Sequence, residues 1–165
     1  MYVPTLHSAP PERYLNMQHI RKATLSDANR LAEIEVFCYR LNFYPIFRND
    51  EFYFAEMTVE NLTRMYKETP ELLDRTCVYD DGVVKGFVRI SGQQVEKLFV
   101  EPVLQGQAIG AALLQYAVAH GCDYLWALEK NTRAIAFYQR HGFVPTGEKQ
   151  YEEDTTEYLV RMRLR

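Results

Sequence analysis

No two cysteines in this sequence stand at CxxC spacing, and their number is odd: Cys38, Cys77 and Cys122 lie far apart in the chain. That pattern argues against a disulfide-stapled scaffold and predicts free, mostly buried thiols in a reducing cytoplasm. No His/Cys/Asp cluster has metal-ligand spacing and the four histidines are scattered, so no metal site is expected. Basic charge is not in excess either. Lys and Arg number 19 against 22 Asp and Glu, a net charge of -3, which offers nucleic acid no basic face. No apolar run approaches the ~20 residues that span a bilayer, so no membrane partner is expected. Residues 1–16 carry prolines at 4, 10 and 11 but no apolar h-region, so they do not read as a secretory signal. They read instead as the body of a flexible extension, residues 1–17, with Met17 an internal start or the junction of an added leader. Internal repeats and low-complexity linkers are also lacking.

What is there is the material of one ordinary globular domain, expected over residues 18–165. The chain has 165 residues, 47% of them hydrophobic and 25% charged, enough to bury a real core. His19–Lys22 reads as a short strand. Thr24 with Asp27 three residues on reads as an N-cap, and Ala28, Leu31, Ile34, Glu35 and Cys38 carry a helical period to about Arg40. Between Phe37 and Phe54 lies a dense aromatic stretch, broken by Pro45 and Asn49-Asp50, that reads as a loop with a short helix. A further helix covers Val59–Lys67, with Pro70 after its end. Arg75–Tyr79 and Val83–Ser91 flank Asp80-Asp81-Gly82, a hairpin turn, and Gln94–Val100 follows as a third strand. Ile109, Ala112, Leu113, Tyr116 and Ala117 fall at i, i+3, i+4, i+7 and i+8, and Gly121 closes that helix. Tyr124–Leu128 is a short buried strand. A helix from Asn131 or Thr132 ends at Gly142, and Phe143–Thr146 and Glu157–Arg163 are the last two strands, linked by the polar segment Glu148–Thr156. The strand–helix–strand unit Glu96–Leu128 implies a parallel pair, while the hairpin implies antiparallel pairing. The fold class is therefore α/β, with a mixed, mostly antiparallel central sheet and helices on both faces.

The stretch Val95–Gly110 runs from strand through Pro102 to a glycine-bearing loop and a helix start. Unpaired N–H groups and the positive end of the helix dipole make such a place an anion cradle. A P-loop requires Gly-Lys-Ser/Thr, but Gly110 is followed by Ala111-Ala112. A dinucleotide fingerprint requires G-x-G-x-x-G, and only Gly106 and Gly110 are present, although Glu129 lies near the spacing of its ribose-binding acid.

A third pattern fits. Leu98-Phe99-Val100-Glu101-Pro102-x-x-Gln105-Gly106-Gln107-Ala108-Ile109-Gly110 resembles the acetyl-coenzyme-A-binding motif Q/R-x-x-G-x-G/A of the GNAT superfamily of N-acetyltransferases. Asn131 to Phe143 resembles that family's second signature, N-x-x-A-x-x-x-Y-x-x-x-G-F. The resemblance implies a single GNAT-like domain and an acetyl-CoA-dependent N-acetyltransferase, moving an acetyl group to a primary amine of a small molecule or peptide by direct attack in a ternary complex. It implies acetyl-CoA as co-substrate, held by Leu98, Phe99, Val100, Gln105, Gly106, Gln107, Ala108, Ile109, Gly110, Ala111, Asn131 and Ala134. The backbone of Phe99 and Val100 is expected to pair with the pantetheine arm, and the Val100 N–H to face the oxyanion. Ala108 stands where the family usually has its first glycine; a negative φ, expected at a helix start, would accommodate its methyl group. The loop also lacks the family's frequent Arg or Lys.

Thioester aminolysis requires deprotonation of the amine, stabilisation of an oxyanion and protonation of the leaving thiolate. The resemblance makes Tyr138 the candidate acid, against a plain core role on its helix stripe. Glu96 is the candidate base, sharing a face with Leu98 and Val100 unless a bulge intervenes, with Glu101 and Glu129 as alternatives. Asn131 reaches the arm, caps its helix, or both. Arg133 and Arg140 meet phosphates or are exposed helix residues. On the acceptor side, the Phe37–Phe54 aromatics and Glu152-Glu153-Asp154 would suit a cationic amine. Alternatively the aromatics fill the core or a homodimer contact and the acids form a solvated turn, and Arg40 or Arg48 takes a substrate carboxylate. A non-catalytic acyl-CoA-binding sensor or regulatory module has the same coenzyme requirement and is the rival reading.

Overall fold

The structure, a computed structural model, describes residues 16–165. The expected extension, residues 1–17, thus lies outside the described residues except for Asn16 and Met17, which open a 3-10 turn ending at His19. Seven strands follow: β1 (Ile20–Lys22), β2 (Thr76–Asp80), β3 (Val84–Ser91), β4 (Gln94–Val100), β5 (Tyr124–Leu128), β6 (Phe143–Tyr151) and β7 (Tyr158–Leu164). They form one sheet in the order β1-β2-β3-β4-β5-β7-β6. Every neighbouring pair is antiparallel except β4 with β5. The helix between those two strands is long enough to carry the chain back for a parallel partner.

Helix α1 (Ala28–Asn42) starts where the sequence signals it, through a 3-10 turn at Leu25–Asp27. The Thr24 N–H donates to the Asp27 carboxylate at 2.8 Å, and Arg21 forks onto both Asp27 oxygens at 2.8 and 2.9 Å. α1 buries Leu31, Ile34 and Val36 with Leu62 and Tyr66 of α3 (Val59–Glu68) against Val78 and Phe87 of the sheet. The opposite face is covered by α5 (Ile109–Ala119), whose Ala112, Leu113 and Ala117 pack on Val88, Val95 and Leu125, with Phe137 and Tyr138 of α6 (Thr132–Arg140) alongside. Helices on both faces of a mixed sheet are as the sequence implies. All three cysteines are free and buried. No helix among the described residues is long and apolar enough to cross a membrane.

Three segments differ from expectation. The aromatic stretch is more helical than a loop: α1 runs to Asn42, α2 (Tyr44–Phe47) follows at once, and Phe52–Glu56 form a π turn. Pro45 is tolerated because it sits in a first turn, where its missing N–H has no partner to lose. For the same reason Pro70 opens the short α4 (Pro70–Asp74) rather than only ending α3. Finally, β6 continues through the expected polar linker to Tyr151. A register shift between Pro145 and Lys149, with Gly147 at φ 91°, lets the strand resume its pairing with β7.

Candidate active site

The site begins with a fault in β4. Its register against β3 jumps from Arg89↔Lys97 to Ile90↔Val95, leaving Glu96 as an extra, unpaired residue. A bulge of this kind bends its strand. Accordingly β4 pairs with β5 at only two rungs, Gln94↔Tyr124 and Val95↔Leu125, and beyond them the strands part. A slot opens between two parallel neighbours.

The Glu101 N–H donates to the Lys85 carbonyl at 2.9 Å, so by antiparallel alternation Phe99 and Lys97 also spend their backbone groups on β3. Those of Leu98 and Val100 point the other way, into the slot. This corrects one expectation: Phe99 lines the site with its ring, packed edge-on against Tyr39 and Phe87, and not with its backbone. The Val100 carbonyl is already taken, accepting from Cys38 Sγ at 3.2 Å and Gln105 Nε2 at 3.1 Å. What remains toward the slot is both polar groups of Leu98 and the N–H of Val100. Cys38, expected from the sequence only as a free, buried thiol, is thus a clamp on the strand end; burial, then Glu101, pushes its thiol up to about 12.

Past Pro102 the chain enters the loop. Gly106 has φ 84° and Ala108 has φ 61°, ψ 9°. The negative φ expected at Ala108 is therefore incorrect: the turn into α5 needs a left-handed residue, and an alanine supplies it at a steric cost of about 1–2 kcal/mol. Ala108 is also the N-cap, and its carbonyl accepts the first helical bond from Ala112 at 3.0 Å. Its side chain has no polar atom, so no cap covers the N–H groups of Ile109, Gly110 and Ala111. A methyl at Gly110 would rest at ordinary contact, 3.5 Å from Phe137 and 3.7 Å from Val100, so the protein's own packing tolerates one. The missing side chain keeps bare backbone at the slot.

These parts border one cavity of about 1130 Å³. Glu96, Leu98, Phe99, Val100, Gln105, Gly106, Ala108, Ile109, Gly110, Ala111, Asn131, Ala134 and Tyr138 all line it. Gln107 is exposed and stands outside the lining, so its assignment to coenzyme contact is not met by its side chain. Asn131 is a true N-cap, accepting from the Ala134 N–H at 3.2 Å, which leaves its amide nitrogen for a ligand but takes the Ala134 N–H out of use. Arg133, in the first turn of α6, donates to Gln105 Oε1 and so ties a cation to a loop that has none of its own.

Tyr138 projects from α6 toward the core side of the slot, its ring near Phe137 and Phe143. Burial alone pushes its phenol up to about 12, so it remains a proton donor at neutral pH. Glu96 lies elsewhere than the simple alternation placed it. The bulge turns Glu96 with Lys97 toward the α1 side, where its Oε2 meets Arg75 Nη1 at 3.3 Å and Arg89 Nε at 4.0 Å. The alternatives are engaged outside the cavity: Glu101 pairs with Arg30 at 2.8 Å and Glu129 with Lys149. Arg40 donates to the Tyr53 carbonyl and Arg48 to that of Pro45, so neither is held ready for a substrate carboxylate.

The sequence reading missed Lys97. Its ammonium bonds the buried Glu35 carboxylate, which also accepts from the Tyr66 hydroxyl at 2.5 Å, and it lies 5.0 Å over the Tyr39 ring. Burial works against that charge, but Tyr39 and Glu35 outweigh it and raise the Lys97 pKa. Helical spacing put Glu35 on the buried stripe of α1; nothing in the sequence named its partner.

A family model described as an acetyltransferase (GNAT) domain matches residues 73–145, from the end of α4 to the start of β6. The chain is also 31% identical over 85 residues to the peptidyl-lysine N-acetyltransferase YjaB of Salmonella typhimurium, an alignment covering 51% of this chain and 59% of that protein. Over residues 73–145 the chain carries a match to the GNAT acetyltransferase domain, and its fold is GNAT-like. It spans little more than half the length of the YjaB relative, and residues 73–145 contain the slot, the loop and both signatures. In structure it is similar to apo YjaB from Escherichia coli, with a TM-score of 0.65 at 20% identity over 87% of this chain and 95% of that one. The PaiA N-acetyltransferase of Thermoplasma acidophilum, solved in complex with coenzyme A, gives a TM-score of 0.59 at 19% identity over 87% and 97%. At these identities the likeness is one of fold.

Proposed function

We propose that this chain is a GNAT-type, acetyl-CoA-dependent N-acetyltransferase acting on a primary amine. The observation that carries the reading is the slot itself. Parting strands, the free Leu98 and Val100 backbone groups and the uncapped N–H groups of α5 form one continuous track that ends at Tyr138. Such a track suits a long, amide-bearing arm with a pyrophosphate at its far end. Leu98 would pair with the arm as an added strand does. The Ile109–Ala111 amides and the helix dipole would hold the pyrophosphate, and Arg133 adds a cation. When bound, the coenzyme supplies an activated acetyl group as a thioester.

The protein's residues then divide the work. The Val100 N–H donates to the developing oxyanion. The Tyr138 hydroxyl gives its proton to the departing thiolate and recovers one from solvent. Glu96, flanked by Arg75 and Arg89, receives the amine proton through water rather than as a desolvated base. The YjaB relatives are named as peptidyl-lysine enzymes, and a lysine side chain belongs to the amine class proposed here.

Acetyl-CoA at ~100 times its Kd should stabilise the fold by about 2.7 kcal/mol in a thermal-shift measurement. Thiol release should then require an amine, and Tyr138→Phe should lower kcat by about 10²-fold while leaving coenzyme binding in place. Binding without thiol release, across a broad amine panel, would replace this reading with the acyl-CoA sensor.

A further inference from the structure

Behind the cavity wall lies a buried polar cluster that coenzyme binding does not use. Its centre is Arg89 of β3, a guanidinium only 3% exposed. Arg89 Nε donates to Thr76 Oγ1 at 3.1 Å, and Nη2 donates to the Tyr66 hydroxyl. Both hydroxyls send their own protons elsewhere: Thr76 donates to the Leu72 carbonyl at 2.6 Å and Tyr66 to Glu35 Oε2 at 2.5 Å. Two neutral oxygens thus hold the cation. Among the described residues the nearest carboxylates stand at different edges of the guanidinium, Glu35 Oε2 3.9 Å from Nη2 and Glu96 Oε2 4.0 Å from Nε.

A charge buried this deeply needs an opposite charge nearby. Glu35 cannot serve alone, since its other oxygen already bonds the Lys97 ammonium. Arg89 and Lys97 therefore share two carboxylates, Glu35 and Glu96, with the partly exposed Arg75 as an outer member 3.3 Å from Glu96. Arg89 can lean either way. Direct contact with Glu35 would be the stronger, because the Glu35 side chain is 1% exposed against 34% for Glu96, and attraction is screened less away from water. What prevents it is the Tyr66 hydroxyl, which stands between Nη2 and Oε2 with its proton toward the carboxylate and a lone pair toward the guanidinium. Burial, then Glu35, pushes that phenol above the ordinary tyrosine range, so the bridge keeps its proton.

Resting on the acetyltransferase reading and on Glu96 as its base, we infer that Tyr66 is a positioning residue for acetyl transfer. Its hydroxyl is a spacer. It keeps Arg89 from closing on Glu35, and so leaves the guanidinium to hold Glu96 where the bulge of β4 presents it to the cavity. Tyr66 itself stands outside the cavity lining and acts only through Arg89 and Glu96.

Tyr66→Phe removes the spacer and little else. Arg89 then meets Glu35 directly, and Glu96 keeps only Arg75. With butylamine or a lysine peptide as acceptor, kcat for thiol release from acetyl-CoA should fall roughly tenfold to a hundredfold. KM for acetyl-CoA should not change, because Leu98, Val100 and the α5 amides are untouched. In a Glu96→Gln background the same substitution should cost nothing further, a non-additivity that general loosening of the core does not produce. Adding Glu35→Gln to Tyr66→Phe removes the carboxylate that captures Arg89, and should restore kcat toward the wild-type value even as stability falls. If Tyr66→Phe does not fold, Arg89→Lys gives the same reading, since an ammonium lacks the second edge; its loss in kcat should likewise vanish in the Glu96→Gln background. Unchanged kcat in Tyr66→Phe, a loss that adds to that of Glu96→Gln, or no recovery with Glu35→Gln overturns the inference alone. Wild-type protein that binds acetyl-CoA yet releases no thiol with any amine overturns the transferase reading and this inference with it.

Discussion

Ala108 carries the plainest local conflict in the chain. A left-handed backbone is needed to turn from the loop into α5, and the residue there has a Cβ. Ala108→Gly should raise the unfolding free energy by about 0.5–1 kcal/mol, since glycine relieves the strain and returns part of the gain as unfolded-chain entropy. A denaturant midpoint that does not rise would show that the loop is not strained. Tyr138 presents a different case, in which position and not strain matters. Its phenol stays protonated up to about 12, so the alkaline side of the pH–rate profile should show no loss from Tyr138 between pH 7 and 10. At this scale the motif residues were legible because their types are demanded by chemistry. The φ of Ala108 was not, because it depends on where the loop must deliver the chain.

Among the elements, β4 decides most. Its hydrophobic alternation predicts a strand but says nothing of an extra residue, and the bulge at Glu96 changes which side chains share a face. The slot follows from that bulge together with the short pairing to β5. Across the strand, Gly86 of β3 lies so close that an added Cβ would stand 2.7 Å from the Phe99 carbonyl oxygen and 3.2 Å from the Val100 Cα. Gly86→Ala should therefore displace the β4 end that carries the Val100 N–H. The expected cost is about 1–3 kcal/mol of stability and, in the folded protein, weaker coenzyme binding by calorimetry. Full coenzyme affinity in that variant would mean the strand end is not what aligns the arm. The hairpin, the α5 stripe and the α6 signature were all visible beforehand, since each is set by local periodicity or turn chemistry. The extension of β6 was not, because a strand that resumes after a glycine bulge looks like a polar linker until its partner is known.

For the molecule as a whole, the first strand is the weak end of the sheet, with only three residues paired to β2. An ion-pair cluster secures it. Arg21 bridges Asp27 before α1 and Asp80 at the end of β2. The Arg21 side-chain bond, set against burial and helped by Thr24, holds the Asp27 carboxyl below the usual carboxylate range. A carboxylate with a lowered folded pKa contributes stability above its unfolded pKa of about 3.9 and loses it as pH falls through the folded value. Asp27→Ala should cost about 1–2 kcal/mol at pH 7, tempered by the exposure of Arg21. The gap to wild type should close as the pH drops below about 4, read from urea midpoints at a series of pH values. A gap that stays constant to pH 2 would assign the loss to packing rather than charge.

Periodicity and turn residues determined by themselves the α/β class and the mixed sheet, and two spaced signatures pointed to a GNAT-like fold. Those features are local, so a few neighbouring residues suffice to specify them. Only the tertiary structure decided that Glu96 turns toward two arginines, that Cys38 and Gln105 occupy the Val100 carbonyl, that Lys97 is neutralised by Glu35, and that the acids of the β6–β7 turn share one cavity with the aromatic segment. Each of these joins residues from different elements, and the first depends on a bulge whose position is set by the strand alongside. Contacts of that kind exist only once the sheet has set its register.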